Sequence, residues 1–466
     1  MSDLTRREHL ALLSSVISLS AAACCCSSNL NASLEVESAP IRRDYPHFAR
    51  DGSLLVAYDP KRSIFVRTLF QLNFDDLAAN PDLEQDLRDA GINTITTGLY
   101  ANPADGGISD YAKWYEGWSG YWRNVEGQAE RLGMTLLLSG DDIMREQYQM
   151  ANSITVPWSA VAIRTALETA KHSNRVIGVE MMDEAVGDII PPDFMRLMQI
   201  VRTARDRPYL TWPVVSGSST KTVARWMGDP KMSDYATIYW SLQDGTDRTL
   251  EAYRRAMAQT VKRWRPFIQQ DRPFLLLVSV AGEFYTKRTS GANYTDGKDL
   301  LQGKPNSPRA VAVQIMYAVI AGAAGVRLYL YDGPHLKKER ADSPIGTIDL
   351  QTGTAPRSSR WIAIAGAMNL IKSLEPFLLQ ATIPAPDLGP EILTSARVGP
   401  SSVLIMALNF SSRTITRNVD LSSYPTSNAR VYRLLDGAAK VTTEGINLAQ
   451  PTTFRPGETV TWLFPL

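Results

Sequence analysis

The segment Val-Ile-Gly-Val-Glu-Met-Met-Asp-Glu-Ala at 176–185 is an apolar run that ends in two adjacent acids, Asp183 and Glu184. Carboxylates at the end of a buried strand are either held by cations or put to use. A protonated one can donate a proton, and an ionised one can accept a proton or attack carbon. Glu283 closes a second apolar run, and Asp141, Asp142 and Asp244 follow two others. Other chemistry is poorly supplied. Of four histidines, His9, His47, His172 and His335, none forms the His-Glu-x-x-His spacing of a zinc site. No Gly-x-Ser-x-Gly elbow marks a serine nucleophile. All three cysteines, Cys24, Cys25 and Cys26, lie together near the N-terminus. The expected chemistry is therefore that of paired carboxylates, with no metal and no cofactor.

Those acids need a scaffold that brings strand ends together. Eight strand-like runs occur at 63–71, 94–100, 135–140, 176–182, 210–217, 237–242, 274–282 and 326–331. Segments of helical period separate them, and Arg360 to Leu374 supplies a last helix. Strand and helix alternating eight times predict an α/β fold, a (β/α)8 TIM barrel, because parallel strands need covering helices and the eighth can close on the first. A doubly wound open sheet fits less well, since no glycine-rich phosphate loop follows the first strand. After Pro376 the period changes to short alternating strands without helices, which predicts a C-terminal antiparallel β-sandwich. The expected organisation is an export signal at 1–26, a linker at 27–46, the barrel at 47–376 and the sandwich at 385–466.

In such barrels the C-terminal strand ends build the site. Glu184 then ends strand four and Glu283 ends strand seven, nearly opposite across the mouth. Two carboxyls about 5 to 5.5 Å apart can cleave a glycosidic bond with retention, one as acid/base and one as nucleophile. The plainer reading of Asp183 and Glu184 is a rim salt bridge, for example to Arg67 or Arg145.

"GVEMMDEA" with a strand-seven Glu resembles the glycoside hydrolases of clan A, over roughly residues 47 to 466. The resemblance implies that Glu184 is the acid/base and Glu283 the nucleophile of a retaining hydrolase acting on a polysaccharide or glycoconjugate. The chain departs from that pattern at Asp183, where the clan usually has Asn. An ionised Asp accepts hydrogen bonds without donating them, and its charge raises the pKa of a neighbouring acid. Adjacent acids at strand four also resemble the substrate-assisted N-acetylhexosaminidases, in which Asp183 would orient an acetamido group and Glu184 would protonate the leaving oxygen. A third reading is a barrel that binds cell-envelope glycans without turnover, and a fourth is a transglycosylase.

Aromatic residues suit a saccharide partner, because sugar rings stack their C–H faces on them. Trp114 and Trp118 belong to an aromatic cluster at 111–122 in the connection after strand two. Tyr239, Trp240 and Tyr331 lie at strand ends, and with Asp183, Asp141 and Asp244 they complete the expected substrate-binding set.

With 49 basic and 48 acidic residues the formal charge is +1, which gives no general attraction to nucleic acid. Arg6 and Arg7 precede an apolar run, Leu10 to Ala23, that is too short for a comfortable membrane span and fits an export signal. Thr-Arg-Arg resembles a twin-arginine signal. Ala-Ala-Ala-Cys ending at Cys24 resembles a lipoprotein box, which would add a lipid anchor. The expected location is outside the cytoplasm of a bacterium: periplasmic, anchored at the outer membrane, or secreted.

Overall fold

The structure, a computed structural model, describes residues 54–56, 59–69, 81–98, 111–139, 175–185, 210–216, 236–239, 274–279, 308–323, 325–329, 359–399, 401–422, 424, 428–443 and 450–466, together with Leu167, Glu168, Ser173 and Gln199. The proposed export signal and linker lie outside these residues.

Strands β1 (Leu54–Val56) and β2 (Asp59–Ile64) form an antiparallel hairpin ahead of the barrel. Eight parallel strands follow: β3 (Val66–Leu69), β4 (Thr94–Gly98), β5 (Thr135–Ser139), β6 (Val176–Ala185), β7 (Leu210–Ser216), β8 (Ala236–Tyr239), β9 (Phe274–Ser279) and β10 (Gly325–Tyr329). Each pairs with the next, and β10 pairs with β3, so the sheet closes on itself. Each of the eight runs expected from sequence overlaps one of these strands, with β6 running three residues further and β8 and β10 each starting one residue earlier. Val66, Leu136, Leu138, Val176 and Val326 are all fully buried, as continuous apolar strands require when both faces are covered.

Four helices are described: α1 (Pro81–Asp89), α2 (Tyr111–Leu132), α3 (Pro308–Ile320) and α4 (Ser359–Leu378). The first two end in one motif. Gly91 and Gly133 take positive φ, 63° and 67°, which a side chain would resist. Each glycine N–H bonds back three residues and the next residue's N–H bonds back five: Gly91 to Arg88 and Ile92 to Leu87, Gly133 to Glu130 and Met134 to Ala129. This Schellman geometry satisfies the last carbonyls and turns the chain straight into β4 and β5. α4 has no such stop and runs through Pro376 to Leu378.

The foot of the barrel is closed by charge. Arg67, in β3, bonds through Nη1 to Glu375 Oε2 of α4 at 2.8 Å and through Nε to the carbonyl of Gly91 at 2.6 Å. Glu375 Oε1 accepts the N–H of Phe65 at 2.8 Å. Asn93 accepts from Arg67 N–H and donates to the Phe65 carbonyl. The last helix is thus pinned to the first strand.

The remaining strands are β11 (Ala381–Ile383), β12 (Ile392–Gly399), β13 (Ser402–Asn409), β14 (Ile415–Arg417), β15 (Arg430–Leu435), β16 (Ala438–Thr442), β17 (Thr452–Phe454) and β18 (Thr459–Pro465). Six form an antiparallel sheet in the order β11-β12-β13-β18-β15-β16, and β14 pairs with β17. One face of the larger sheet shares a core with the smaller one, through Ala396, Ile405, Val431, Trp462, Ile415 and Phe454 among others. The other face packs on α3 and α4. Arg309 of α3 clasps Asp436 with two bonds, 2.6 and 2.8 Å, and Gly366 of α4 lies against the backbone of Gly437.

Candidate active site

β6 is where the sheet departs from regularity. Its pairing with β7 starts at Gly178↔Leu210 and ends at Ala185↔Val215, so β6 advances seven residues while β7 advances five (185 − 178 = 7; 215 − 210 = 5). The two extra residues enter between Glu180 and Met182 and between Met182 and Ala185. The partner of Met182 is Pro213. Proline has no N–H to give the ladder, and inside a sheet it is accommodated at bulges. The sequence of β7 therefore supplies the reason for the break in β6. Asp183 and Glu184 lie in the second bulged stretch, at the C-terminal end of the strand, and bulges of this kind re-aim side chains beside active sites.

Tyr239 is the last residue of β8, and its place is set by register. Ser216, Tyr239, Leu277, Arg327 and Thr68 are successive partners across β7, β8, β9, β10 and β3. Arg67, the residue before Thr68, reaches out to α4, so Thr68 and its partner Arg327 take the opposite side of the sheet and face the bore. The row continues through Thr94 and Thr135, whose hydroxyls bond at 2.9 Å. Arg327 is wholly buried. The bore therefore holds an arginine side chain two residues short of the end of β10. The reading of strand ends passed over Arg327; its signal was a lone Arg inside the apolar run Val-Arg-Leu-Tyr-Leu-Tyr.

Trp114 and Trp118 are in α2, which forms the connection between β4 and β5. Gly117 and Gly120 lie inside it, and each costs a helix about 1 kcal/mol relative to alanine. Packing outweighs that cost: Trp122, one turn beyond Trp118, is 3% exposed, and Val125 and Ala129 continue the buried stripe. Asp141 lies two residues past the end of β5, Glu283 four past β9 and Tyr331 two past β10. These three, with Trp240 and Asp244, lie outside the described residues. Arg67, weighed as a salt-bridge partner for Asp183 or Glu184, is instead engaged at the foot of the barrel by Glu375, Gly91 and Phe65. Among the described residues no group of three His, Cys, Asp or Glu side chains could hold a metal ion.

No family model matches the sequence, and no curated protein matches it. Solved structures do match. One described as a glycoside hydrolase aligns over 89% of this chain and 97% of its own, at 13% identity and a TM-score of 0.55. An Anoxybacillus alpha-amylase aligns over 92% and 96%, at 12% identity and a TM-score of 0.52. A glycoside hydrolase family 30 subfamily 8 xylanase from Clostridium acetobutylicum aligns over 86% and 96%, at 12% identity and a TM-score of 0.50. The fold is shared with glycoside hydrolases. At these identities the likeness is one of architecture, and it spans both the barrel and the C-terminal sheets. Within that architecture the C-terminal end of β6 is a place where chemistry is expected, and the chain puts two acids there.

Proposed function

We propose that the chain is a retaining glycoside hydrolase of the clan A type, acting on a polysaccharide or glycoconjugate. The observation that carries this reading is the acid pair Asp183-Glu184 in the bulged C-terminal end of β6, in a closed parallel barrel whose solved likenesses are glycoside hydrolases. Glu184 protonates the glycosidic oxygen as Glu283 attacks the anomeric carbon, and Glu184 then takes a proton from the water that releases the sugar. Asp183, ionised beside Glu184, raises its pKa and keeps it protonated for the first step. Arg327 contributes positive charge to the bore, and Tyr239 belongs to the same row. Trp114, Trp118, Trp240, Asp141, Asp244 and Tyr331 are proposed to contact sugar. The reading includes the full eightfold strand and helix alternation, a C-terminal sandwich and export from a bacterial cytoplasm, with a lipid anchor on Cys24 as one form of it.

The test is a screen of the purified chain from Ser27 onward on bacterial and plant polysaccharides, following the first product by NMR. Retained anomeric configuration, abolished by Glu184→Gln and by Glu283→Ala, supports the proposal. Inverted product rejects the two-step mechanism. A chain that binds glycans with undiminished affinity in both variants, and turns over none, is a binding barrel. Activity confined to N-acetylated substrates and surviving Glu283→Ala would point to substrate assistance by Asp183.

A further inference from the structure

The C-terminal sheet holds a buried cation with no opposite charge. Along β12, Ile392, Ala396 and Val398 turn to the shared apolar core. Ser395, Arg397 and Gly399 alternate with them and take the side that meets α3 and α4. Arg397 is 9% exposed, its Nε has no hydrogen-bond partner, and no carboxylate among the described residues pairs with it. Comparable buried charges are matched: Arg67 by Glu375 at 2.8 Å, and Glu458 by Arg433 and Arg455 at 3.1 and 3.3 Å. Burial alone pulls the Arg397 guanidinium down to a pKa of about 10, still charged at neutral pH.

The polar groups around it are also unspent. Ser395 Oγ lies two residues back along the strand and has no partner. Two residues forward, Gly399 is paired with Ser402, whose Oγ is buried and unpartnered. The Gln380 amide lies directly on Gly399: a Cβ there would sit 2.1 Å from the amide carbon, and the amide oxygen is likewise unpartnered. Turned end for end, that amide presents two N–H donors. The negative groups at the C-terminal end of α4 are already engaged. Glu375 is held by Arg67, and the Phe377 carbonyl at the end of α4 accepts the N–H of Gln380. What remains is one fixed positive charge flanked by hydroxyl and amide donors, the chemistry that holds an anion.

We propose that the seam between β12, β13 and the segment following α4 binds a small inorganic anion, chloride being the simplest, on Arg397 with Ser402 and Gln380 donating to it. Gly399 is required because a larger residue would push the Gln380 amide away. The site is independent of the acids of β6, so it stands or falls apart from the hydrolase reading.

Thermal unfolding of the full chain tests it, in sodium chloride, bromide and gluconate at equal ionic strength. The expected result is a midpoint that rises with halide and not with gluconate. The response should be flat in Arg397→Met, and the apparent halide affinity should fall about tenfold or more in Gly399→Ala. Crystals soaked in bromide should show an anomalous peak at hydrogen-bonding distance from the Arg397 guanidinium. Should Arg397→Met not fold, the bromide peak and the Gly399→Ala titration decide the matter. An identical response to halide and gluconate, with no bromide peak, overturns the proposal and leaves Arg397 solvated by water alone.

Discussion

The β4–β5 and β6–β7 seams are both parallel pairings in one barrel, and they behave differently. Between β4 and β5 the partners advance one for one, from Thr94↔Thr135 to Gly98↔Ser139, and the two threonine hydroxyls bond across the seam. Between β6 and β7 the register slips twice within the stretch that carries Asp183 and Glu184. The regular seam has β-branched residues and a full set of N–H donors. The irregular one has a proline. One barrel can thus be uniform along one seam and broken along another, and the break falls opposite a proline on the neighbouring strand.

Breaking the chemistry on the irregular seam should have the largest effect. Glu184→Gln keeps the shape and removes the acid, so kcat should fall by roughly 10²- to 10⁴-fold, the usual contribution of a positioned proton donor. Substrates whose leaving groups need no protonation should lose least, which a comparison of activated and unactivated glycosides would reveal. Pro213→Val comes next. It restores an N–H to β7 and lets the ladder with β6 run on, so kcat should drop by about tenfold as Glu184 is re-aimed. The acid limb of the pH profile should move while the midpoint of thermal unfolding holds or rises. A variant that loses stability and keeps its pH profile would show that the proline only packs.

On the regular seam the expected consequence is thermodynamic. Thr94→Val leaves the Thr135 hydroxyl without one of its partners and should cost about 1 kcal/mol in denaturant unfolding, with kcat unchanged. The seam between α3 and the C-terminal sheet should respond least. Arg309 hydrogen-bonds to Asp436 and holds its carboxyl below the ordinary value of 3.8. A depressed carboxyl contributes stability above its unfolded pKa and loses it as pH falls through the folded one. Both side chains are more than a third exposed, so Asp436→Asn should cost less than about 1 kcal/mol at neutral pH. Wild type and variant should converge in acid below the depressed pKa.

Much of the barrel was legible in the residues. Strands buried on both faces are continuous apolar runs that need no knowledge of their partners, and all eight sat where the pattern put them. The acid pair was visible for the same reason, as polar residues closing such a run. What escaped depends on contacts. β16 is exposed throughout and carries no alternation to read, and β11 and β17 are three residues each. The aromatic cluster at 111–122 gives no sign of which of its rings are buried, and the helix that carries it is fixed by tertiary burial at Trp122, Val125 and Ala129. β6 runs past its apolar residues to Ala185, a length decided by pairing with β7. Arg327 was passed over because only closure of the ring puts it inside the bore.

The approach of Gly366 to Gly437 has a consequence for how this protein can be taken apart or recombined. A Cβ at 366 would lie 1.7 Å from the Gly437 carbonyl oxygen, and one at 437 would lie 2.2 Å from the Ala363 Cα. Main chain meets main chain there, so no choice of neighbouring rotamers can absorb a methyl group on either side. A foreign module grafted after α4 would have to reproduce that bare backbone crossing. Truncation before β11 would strip α4 of its cover while leaving Glu375 to hold the foot of the barrel. The terminal sheets are therefore structurally continuous with the barrel's helices and not exchangeable as an appendage.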